Sequence, residues 1–114
     1  MSHSSNYKKL EYRNFQQIVY VEKKPVVIVF EAEWSGNARI MQSMIQRISD
    51  DCKRNLYYYH VNIDKEKELV DLFNVTEVPT TIFIAKGEMV EFITGMIPSS
   101  TMRIKLDAFC ESLD

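Results

Sequence analysis

The strongest hydrophobic pattern in the chain is an unbroken run of five apolar residues, Val26 to Phe30, directly after Pro25. The run is short and rich in β-branched side chains, so it predicts a strand buried on both faces. Such strands lie in the middle of parallel or mixed sheets that helices cover. A turn and then a helical pattern follow at once, which predicts a helix N-terminus at the edge of the sheet.

Helical spacing of apolar residues predicts four helices, each next to a strand. The first covers about residues 14–23, with Asn14 as its N-cap and Pro25 beyond its end. The second covers about residues 37–53, and its apolar stripe consists of Ile40, Met41, Met44, Ile45, Ile48 and Cys52. The third begins after a capping Asp64 and ends at Phe73. The last has Ser99 or Ser100 as its cap and a stripe formed by Met102, Leu106, Phe109, Cys110 and Leu113.

Four further strands are predicted at residues 8–12, 56–63, 80–85 and 88–93, the last two joined by a turn at Lys86-Gly87. Strand–helix–strand units give parallel crossovers, whereas the final hairpin is antiparallel. The pattern therefore predicts an α/β fold with a central mixed sheet of about five strands and four helices. We expect residues 1–7 to form a flexible N-terminal tail and residues 8–114 to form one domain.

Composition and charge exclude several classes of partner. The 114 residues carry 14 Lys and Arg against 16 Asp and Glu, and the mixed charges leave no basic stripe for nucleic acid. No segment approaches the ~20 apolar residues needed to span a membrane. The polar start, Met-Ser-His-Ser-Ser-Asn, lacks the apolar core of a signal peptide. We therefore expect a cytoplasmic protein with neither a nucleic acid nor a membrane partner.

The two cysteines, Cys52 and Cys110, both lie on apolar helix stripes. A free cysteine commonly behaves as a small buried hydrophobe, and that is the expectation for both. The alternative is a redox pair at an unusual place, since the spacing of 58 positions does not give their separation in the fold. No Cys, His, Asp and Glu cluster has metal-ligand spacing, so we expect no metal and no cofactor.

The segment Val-Phe-Glu-Ala-Glu-Trp-Ser-Gly-Asn-Ala, which ends at Ala38, resembles the active-site strand and turn of the thioredoxin family. That family has Trp-Cys-Gly-Pro-Cys at the turn. Further matches in the family's order are Asn62-Ile63-Asp64, Val78-Pro79-Thr80, Lys86-Gly87-Glu88 and Thr94-Gly95. The resemblance covers residues about 8–113. It implies a thioredoxin-like three-layer α/β/α fold with a cis bond before Pro79.

The chemical residues of the motif are absent. Ser35 stands in place of the first cysteine, Asn37 in place of the proline and Ala38 in place of the second cysteine, while Gly36 matches. Disulfide exchange needs a thiolate, and a serine alcohol is not ionised at neutral pH. We expect Ser35 to be a helix N-cap and the motif to contain no catalytic residue.

Two other departures from the family agree with this expectation. Val29 stands where active members have a buried aspartate, and Ser43 stands where they have a proline that kinks the helix. Without that proline, the helix after the turn should be straighter. His60 lies at a strand position behind this helix and is expected to be a packed, hydrogen-bonded histidine rather than a base.

The resulting hypothesis is a redox-inactive thioredoxin-like domain that binds a protein or an extended peptide through the former substrate groove. The expected binding residues are Trp34, Ser35, Gly36, Val78, Pro79, Gly95 and Met96. Two alternatives stay open. One is a thiol-dependent oxidoreductase that uses Cys52 or Cys110 or another site, and the other is an engineered cysteine-less variant of an active thioredoxin.

Overall fold

The computed structural model describes residues 7–52 and 55–113. The strands are β1 Lys8–Lys9, β2 Val26–Glu31, β3 Tyr57–Asn62, β4 Thr80–Ala85 and β5 Glu88–Thr94. The helices are α1 Tyr12–Gln16, α2 Gly36–Ser49, α3 Lys67–Phe73 and α4 Ser99–Ser112. A π-helical segment, Gln17–Val21, continues α1. Within the described residues, no helix is long and apolar enough to cross a membrane.

The five strands form one mixed sheet in the order β1-β3-β2-β4-β5. β3 runs parallel to β1 and β2, whereas β4 is antiparallel to β2 and β5. β2 lies in the centre, and all five residues of the apolar run from Val26 to Phe30 are fully buried. The predicted fold class and the predicted central strand are therefore confirmed.

Helices cover both faces of the sheet because alternate side chains of β2 point in opposite directions. Val27 and Val29 pack with α2 and α4, in a core that also contains Met41, Ile45, Met102, Leu106 and Phe109. Val26, Ile28 and Phe30 of β2 pack in a second core with Leu10 before α1, Phe15 of α1, Val19 of the π-helical segment and Leu69 of α3. The result is the expected three-layer α/β/α arrangement.

The first helix begins earlier than the sequence predicted. Asn14 lies inside α1 rather than before it, and Glu11 occupies the N-cap position. The side-chain Oδ1 of Asn14 accepts a hydrogen bond from the Glu11 N–H at 3.0 Å, which satisfies a backbone donor at the helix start. Because the helix begins at Tyr12, the predicted strand at 8–12 shrinks to Lys8–Lys9.

Two other predicted caps were wrong. Asp64 lies in a turn, where its N–H donates to Asn62 Oδ1 at 2.8 Å, and Glu66 precedes α3 instead. Neither Ser99 nor Ser100 caps α4, since both lie in its first turn and Pro98 occupies the N-cap position. Proline suits this place because its ring fixes φ near the value that the extended residue needs.

The second helix and the tail differ in detail from the prediction. α2 ends at Ser49, four residues before the expected end, and it is α-helical through Ser43. Ile40 was expected on the buried stripe, yet it faces outwards and is 54% exposed. Of the expected tail, residues 1–6 lie outside the described residues. Tyr7 is packed in the core, so this residue does not belong to a flexible tail.

Candidate functional site

Three loops emerge side by side at one end of the sheet. The strand registers place Phe30 of β2 opposite Thr80 of β4, and Thr80 opposite Thr94 of β5. The loop after β2, the loop before β4 and the loop after β5 therefore start from neighbouring positions. These loops contain the expected binding residues, which we call the groove residues: Trp34, Ser35, Gly36, Val78, Pro79, Gly95 and Met96.

The first loop ends in a capped helix N-terminus. Ser35 is only 6% exposed, and its Oγ accepts a hydrogen bond from the Ala38 N–H at 3.2 Å. The Ser35 N–H in turn donates to the Ala32 carbonyl at 3.0 Å. The predicted capping role of Ser35 is therefore confirmed. Ala38, at the position of the family's second cysteine, is fully buried and offers no reactive group.

The second loop leaves the backbone groups of one residue, Val78, without hydrogen bonds among the described residues. The Val78–Pro79 peptide bond is cis, and Pro79 is buried. The Thr80 hydroxyl donates to the Glu77 carbonyl at 2.7 Å, and the Pro79 carbonyl accepts from the Gly95 N–H at 2.8 Å. Among the residues that the structure describes, the Val78 N–H and carbonyl have no hydrogen-bond partner. Both groups are therefore available to an added strand.

The third loop packs against the second through a carboxylate. Gly95 has a φ of +77°, and a Cβ added there would lie 2.8 Å from Oε2 of Glu77. Glycine suits this position because other residues rarely adopt the left-handed backbone, whereas the Glu77 carboxylate could move aside for a side chain. The position of Glu77 was missed by the sequence reasoning. The only available signal was its place next to the Val78-Pro79 pair.

Two groove residues expose apolar surface to solvent. Trp34 is 70% exposed and Met96 is 39% exposed. A large aromatic ring that remains mostly in water contributes little to the core, since burial is what stabilises an apolar side chain. The two side chains therefore give the groove an apolar surface beside the free backbone of Val78.

A set of polar side chains in mutual contact lies on the α2 side of β2 and β3. Val29 is fully buried and pairs in register with His60 of β3. His60 Nδ1 lies 2.6 Å from Glu31 Oε2, and Glu31 Oε1 accepts a hydrogen bond from Gln42 Nε2 of α2 at 2.8 Å. His60 is thus partly buried and in contact with Glu31, but its Nδ1 makes no hydrogen bond, so the expected hydrogen-bonded histidine is confirmed only in its packing. The Glu31 contacts were missed because they join three separate elements.

A cavity of about 500 Å³ opens beside α2 and is separate from the groove residues. Its lining consists of Tyr7, Arg39, Gln42, Ser43, Gln46, Arg47 and Asp50. The Tyr7 hydroxyl donates to the Gln42 carbonyl at 3.1 Å. Burial, together with the neighbouring Tyr58, raises the pKa of Tyr7 well above its ordinary value. Tyr7 therefore holds the chain before β1 against the middle of α2.

The cysteines form a disulfide, which corrects the expectation that both are unpaired. Cys52 follows α2, Cys110 lies in α4, and their Cα atoms are 5.9 Å apart. The two residues meet because α2 and α4 pack side by side on one face of the sheet. Ser35 caps the opposite end of α2. A helix of 14 residues is roughly 20 Å long, so the disulfide is remote from the groove.

No metal site was found in the described part of the chain. No grouping of His, Cys, Asp and Glu among residues 7–52 and 55–113 has a geometry that could hold a metal ion. The groove offers the apolar surface of Trp34 and Met96, the free backbone of Val78 and the carboxylate of Glu77. These groups can bind a peptide, whereas neither motif position carries a cysteine nucleophile.

Comparison with known proteins agrees with this architecture. Thioredoxin from Chlorobaculum thiosulfatiphilum is 24% identical over 95 residues, which cover 83% of this chain and 88% of that protein. The M-type chloroplastic thioredoxin of Spinacia oleracea is 24% identical over 96 residues and 84% of this chain, which spans only 53% of that protein's length.

The fold itself has a close counterpart among solved structures. A mutant thioredoxin from Halobacterium salinarum NRC-1 matches with a TM-score of 0.75 at 17% sequence identity, and the match covers 96% of both chains. At the level of sequence, the Thioredoxin family model matches residues 6–108, which is most of the chain. The chain belongs to the thioredoxin family.

Proposed function

We propose that this chain is redox-inactive at the family's motif and binds a protein or an extended peptide through the groove. The observation that carries the proposal is the pair Ser35 and Ala38, which occupy the two cysteine positions. The Ser35 hydroxyl already caps α2, and Ala38 is buried. The relatives are named thioredoxins, so loss of dithiol chemistry here is a departure from what those names imply.

Three features of the groove support a binding role. The free N–H and carbonyl of Val78 can pair with an extended peptide, as in strand addition. The exposed ring of Trp34 supplies the residue type that is most enriched among binding hot spots. Met96 adds a flexible apolar contact that adapts to different partners. A contact surface of this size gives weak, reversible binding unless the partner reaches beyond it.

A second candidate function follows from the disulfide. Cys52 and Cys110 form a couple that could exchange with an external thiol, which would make the chain a thiol-dependent oxidoreductase with a displaced site. Both residues are partly buried rather than fully enclosed. This site would act roughly 20 Å from the groove, at the other end of α2. The two functions therefore make different predictions for the same variants.

A disulfide-reduction assay separates the two candidates. A protein disulfide is incubated with dithiothreitol and with the wild type, the Cys52→Ala/Cys110→Ala variant or the Ser35→Cys/Ala38→Cys variant. The groove proposal predicts that the wild type and the Cys52→Ala/Cys110→Ala variant both leave disulfide reduction at its uncatalysed rate. Catalysis by the wild type that is lost in Cys52→Ala/Cys110→Ala would favour the displaced site. Catalysis that survives in that variant would contradict both candidates.

Binding through the groove is tested with Trp34→Ala. The variant should bind the partner more weakly while its free energy of unfolding stays nearly unchanged, because the ring is mostly in solvent. Ile104→Ala is the matched control, since Ile104 lies on α4 and is equally exposed, at 71%. Partner-induced NMR shifts should map to the three loops. Shifts centred on the cavity beside α2 would contradict the proposal.

We also propose a cytoplasmic location, with no nucleic acid, membrane or cofactor involved. The disulfide gives this proposal a direct test, because such bonds persist mainly in oxidising compartments and are rare in the cytosol. Alkylation of thiols in freshly lysed source cells should find Cys52 and Cys110 reduced if the location is cytoplasmic. A fully oxidised pair would contradict it and point to an oxidising compartment.

A further inference from the structure

The carboxylate of Glu77 lies in the groove and lacks a charged partner. Its Oε2 lies beside Gly95, 2.8 Å from the place that a Cβ on residue 95 would occupy. Within residues 7–52 and 55–113, the Glu77 carboxylate forms neither an ion pair nor a hydrogen bond. Its own carbonyl accepts from Thr80, which fixes the backbone that carries it. The negative charge is therefore held beside Val78, where a peptide backbone would pair.

Several other carboxylates of the fold have a basic partner, whereas Glu77 has none among the described residues. Glu31 contacts His60, Glu91 contacts Lys105 at 3.1 Å, and Asp51 contacts Arg103 at 3.0 Å. In contrast, no Lys or Arg is among the groove residues, and Arg39 of the nearby helix turn lines the cavity beside α2. An unpaired charge next to a free backbone edge is available for a partner's cation.

The exposed ring of Trp34 gives the same preference by a second mechanism. The β2–β4 register puts Phe30 beside Thr80, so Trp34 and Glu77 lie on loops that start from adjacent strands. The face of a Trp ring attracts Lys and Arg cations electrostatically. An apolar aromatic surface and a carboxylate on neighbouring loops together complement a long basic side chain, whose stem is apolar and whose head is charged.

We propose that the groove selects an extended peptide with a Lys or Arg close to the residue that pairs with Val78. This inference rests on the proposed function, since it names the class of peptide that the same groove binds. Glu77 acts as a specificity-determining residue by pairing with the basic head group. Because the pair is exposed, its contribution is modest and decreases as salt screens it.

The sole tryptophan of the chain, Trp34, reports binding directly through its fluorescence. A panel of extended peptides is titrated, each in two versions that differ only in arginine or its neutral analogue citrulline. The wild type should bind the arginine version about 3- to 5-fold more tightly. Glu77→Gln should remove this preference, and so should high salt. Glu88→Gln is the control, since Glu88 starts β5 at the opposite end of that strand from Thr94.

Each outcome separates this inference from the proposed function. Equal binding of both peptide versions by the wild type overturns the charge preference and leaves groove binding intact. A preference that persists in Glu77→Gln, or that Glu88→Gln lowers equally, also overturns it, because net charge would then be the cause. If no peptide changes Trp34 fluorescence or shifts the NMR signals of the three loops, both the groove proposal and this inference fail.

Discussion

The two ends of α2 differ in the chemistry that holds them. At the N-terminal end, where the thioredoxin family has its cysteines, Ser35 makes one side-chain hydrogen bond to the Ala38 N–H at 3.2 Å. Just beyond the C-terminal end, Cys52 is covalently linked to Cys110 of α4. The two cysteines of this chain are thus at the opposite end of the helix from the family's motif.

This difference separates binding from stability. The N-terminal end leaves Trp34 exposed and the Val78 backbone free, so changes at these exposed groups should alter binding more than folding. The C-terminal end has no groove residue, so changes there should alter folding alone. Sites far apart that share no partners usually contribute additively, and the two ends are roughly 20 Å apart. The predictions below test this separation.

The largest expected effect is on the disulfide end. A cross-link that closes a loop of 58 residues restricts the unfolded chain and stabilises the fold by about 4 kcal/mol on the chain-entropy account. Cys52→Ala/Cys110→Ala should lower the free energy of unfolding in urea by about this amount and leave peptide binding unchanged. Reductant should destabilise the wild type and not the variant. A wild type insensitive to reductant would contradict a structural role for the bond.

A second large effect is expected beneath the N-terminal end of α2. Val29 is fully buried, so Val29→Asp would place a carboxylate in the core and cost about 3 kcal/mol at pH 7. The penalty should shrink as the pH falls towards ~4, because burial raises the pKa of a carboxyl and the neutral form is cheaper to bury. Urea denaturation at several pH values measures this.

The control for Val29→Asp is Val90→Asp, since Val90 is a half-exposed valine on the edge strand β5. It should lower the stability by about 0.5 kcal/mol and show little pH dependence. Equal losses of stability for the two variants would mean that a charge destabilises any strand position of the sheet, whether it is buried or exposed. Burial at position 29 would then not explain why a valine, rather than a carboxylate, stabilises the fold there.

The sequence pattern predicted the cap at the N-terminal end of α2, whereas the disulfide beyond its C-terminal end depends on long-range packing. The cap by Ser35 follows from a serine between a buried strand and a helical stripe, and the fold class follows from the run at Val26 and the order of elements. The Cys52–Cys110 bond depends on how two helices pack across 58 positions, and no local spacing encodes that.

The remaining differences have similar physical causes. Glu77 reaches Gly95 only because β4 and β5 bring their loops together, so its place in the groove is a tertiary property. Tyr7 is buried through its contact with α2, although its sequence neighbours are polar. The cap positions of α1 and α3 differed because several polar residues lie near each start, whereas α4 has Pro98 rather than a polar residue at its N-cap position.

A smaller effect is expected at the middle of α2, where Tyr7 is anchored. Its hydroxyl donates to the Gln42 carbonyl, so Tyr7→Phe should cost about 1.5 kcal/mol at pH 7. The folded-state pKa of Tyr7 is raised by burial, so its contribution to stability is complete below the unfolded value of ~10 and is lost as the pH rises beyond it. The variant should therefore lose less stability than the wild type between about pH 9 and about pH 11, which lie ~1 unit below and above the unfolded pKa of tyrosine.

Urea midpoints across this pH range provide the measurement. Tyr12→Phe is the control, because Tyr12 is exposed at the start of α1 and loss of its hydroxyl should leave the midpoint at pH 7 unchanged. Burial also raises the pKa of Tyr58 and Tyr59, so part of the alkaline loss should persist in Tyr7→Phe. Identical alkaline profiles for Tyr7→Phe and the wild type would contradict the assignment to Tyr7.

The smallest effect is expected at the cap itself. Ser35→Ala removes the acceptor for the Ala38 N–H and should lower the free energy of unfolding by about 1 kcal/mol. Ser35→Asp keeps an acceptor and should retain most of the stability. Ser43→Ala is the matched control, since Ser43 is exposed in the middle of α2, where alanine is the better helix former. If Ser35 is only a cap, Ser35→Ala should bind peptides within about 2-fold of the wild type, well below one tenfold step of 1.4 kcal/mol. A large loss of binding with unchanged stability would instead show that the serine hydroxyl contacts the partner. Ser35 would then contribute to binding directly and not only as the cap of α2.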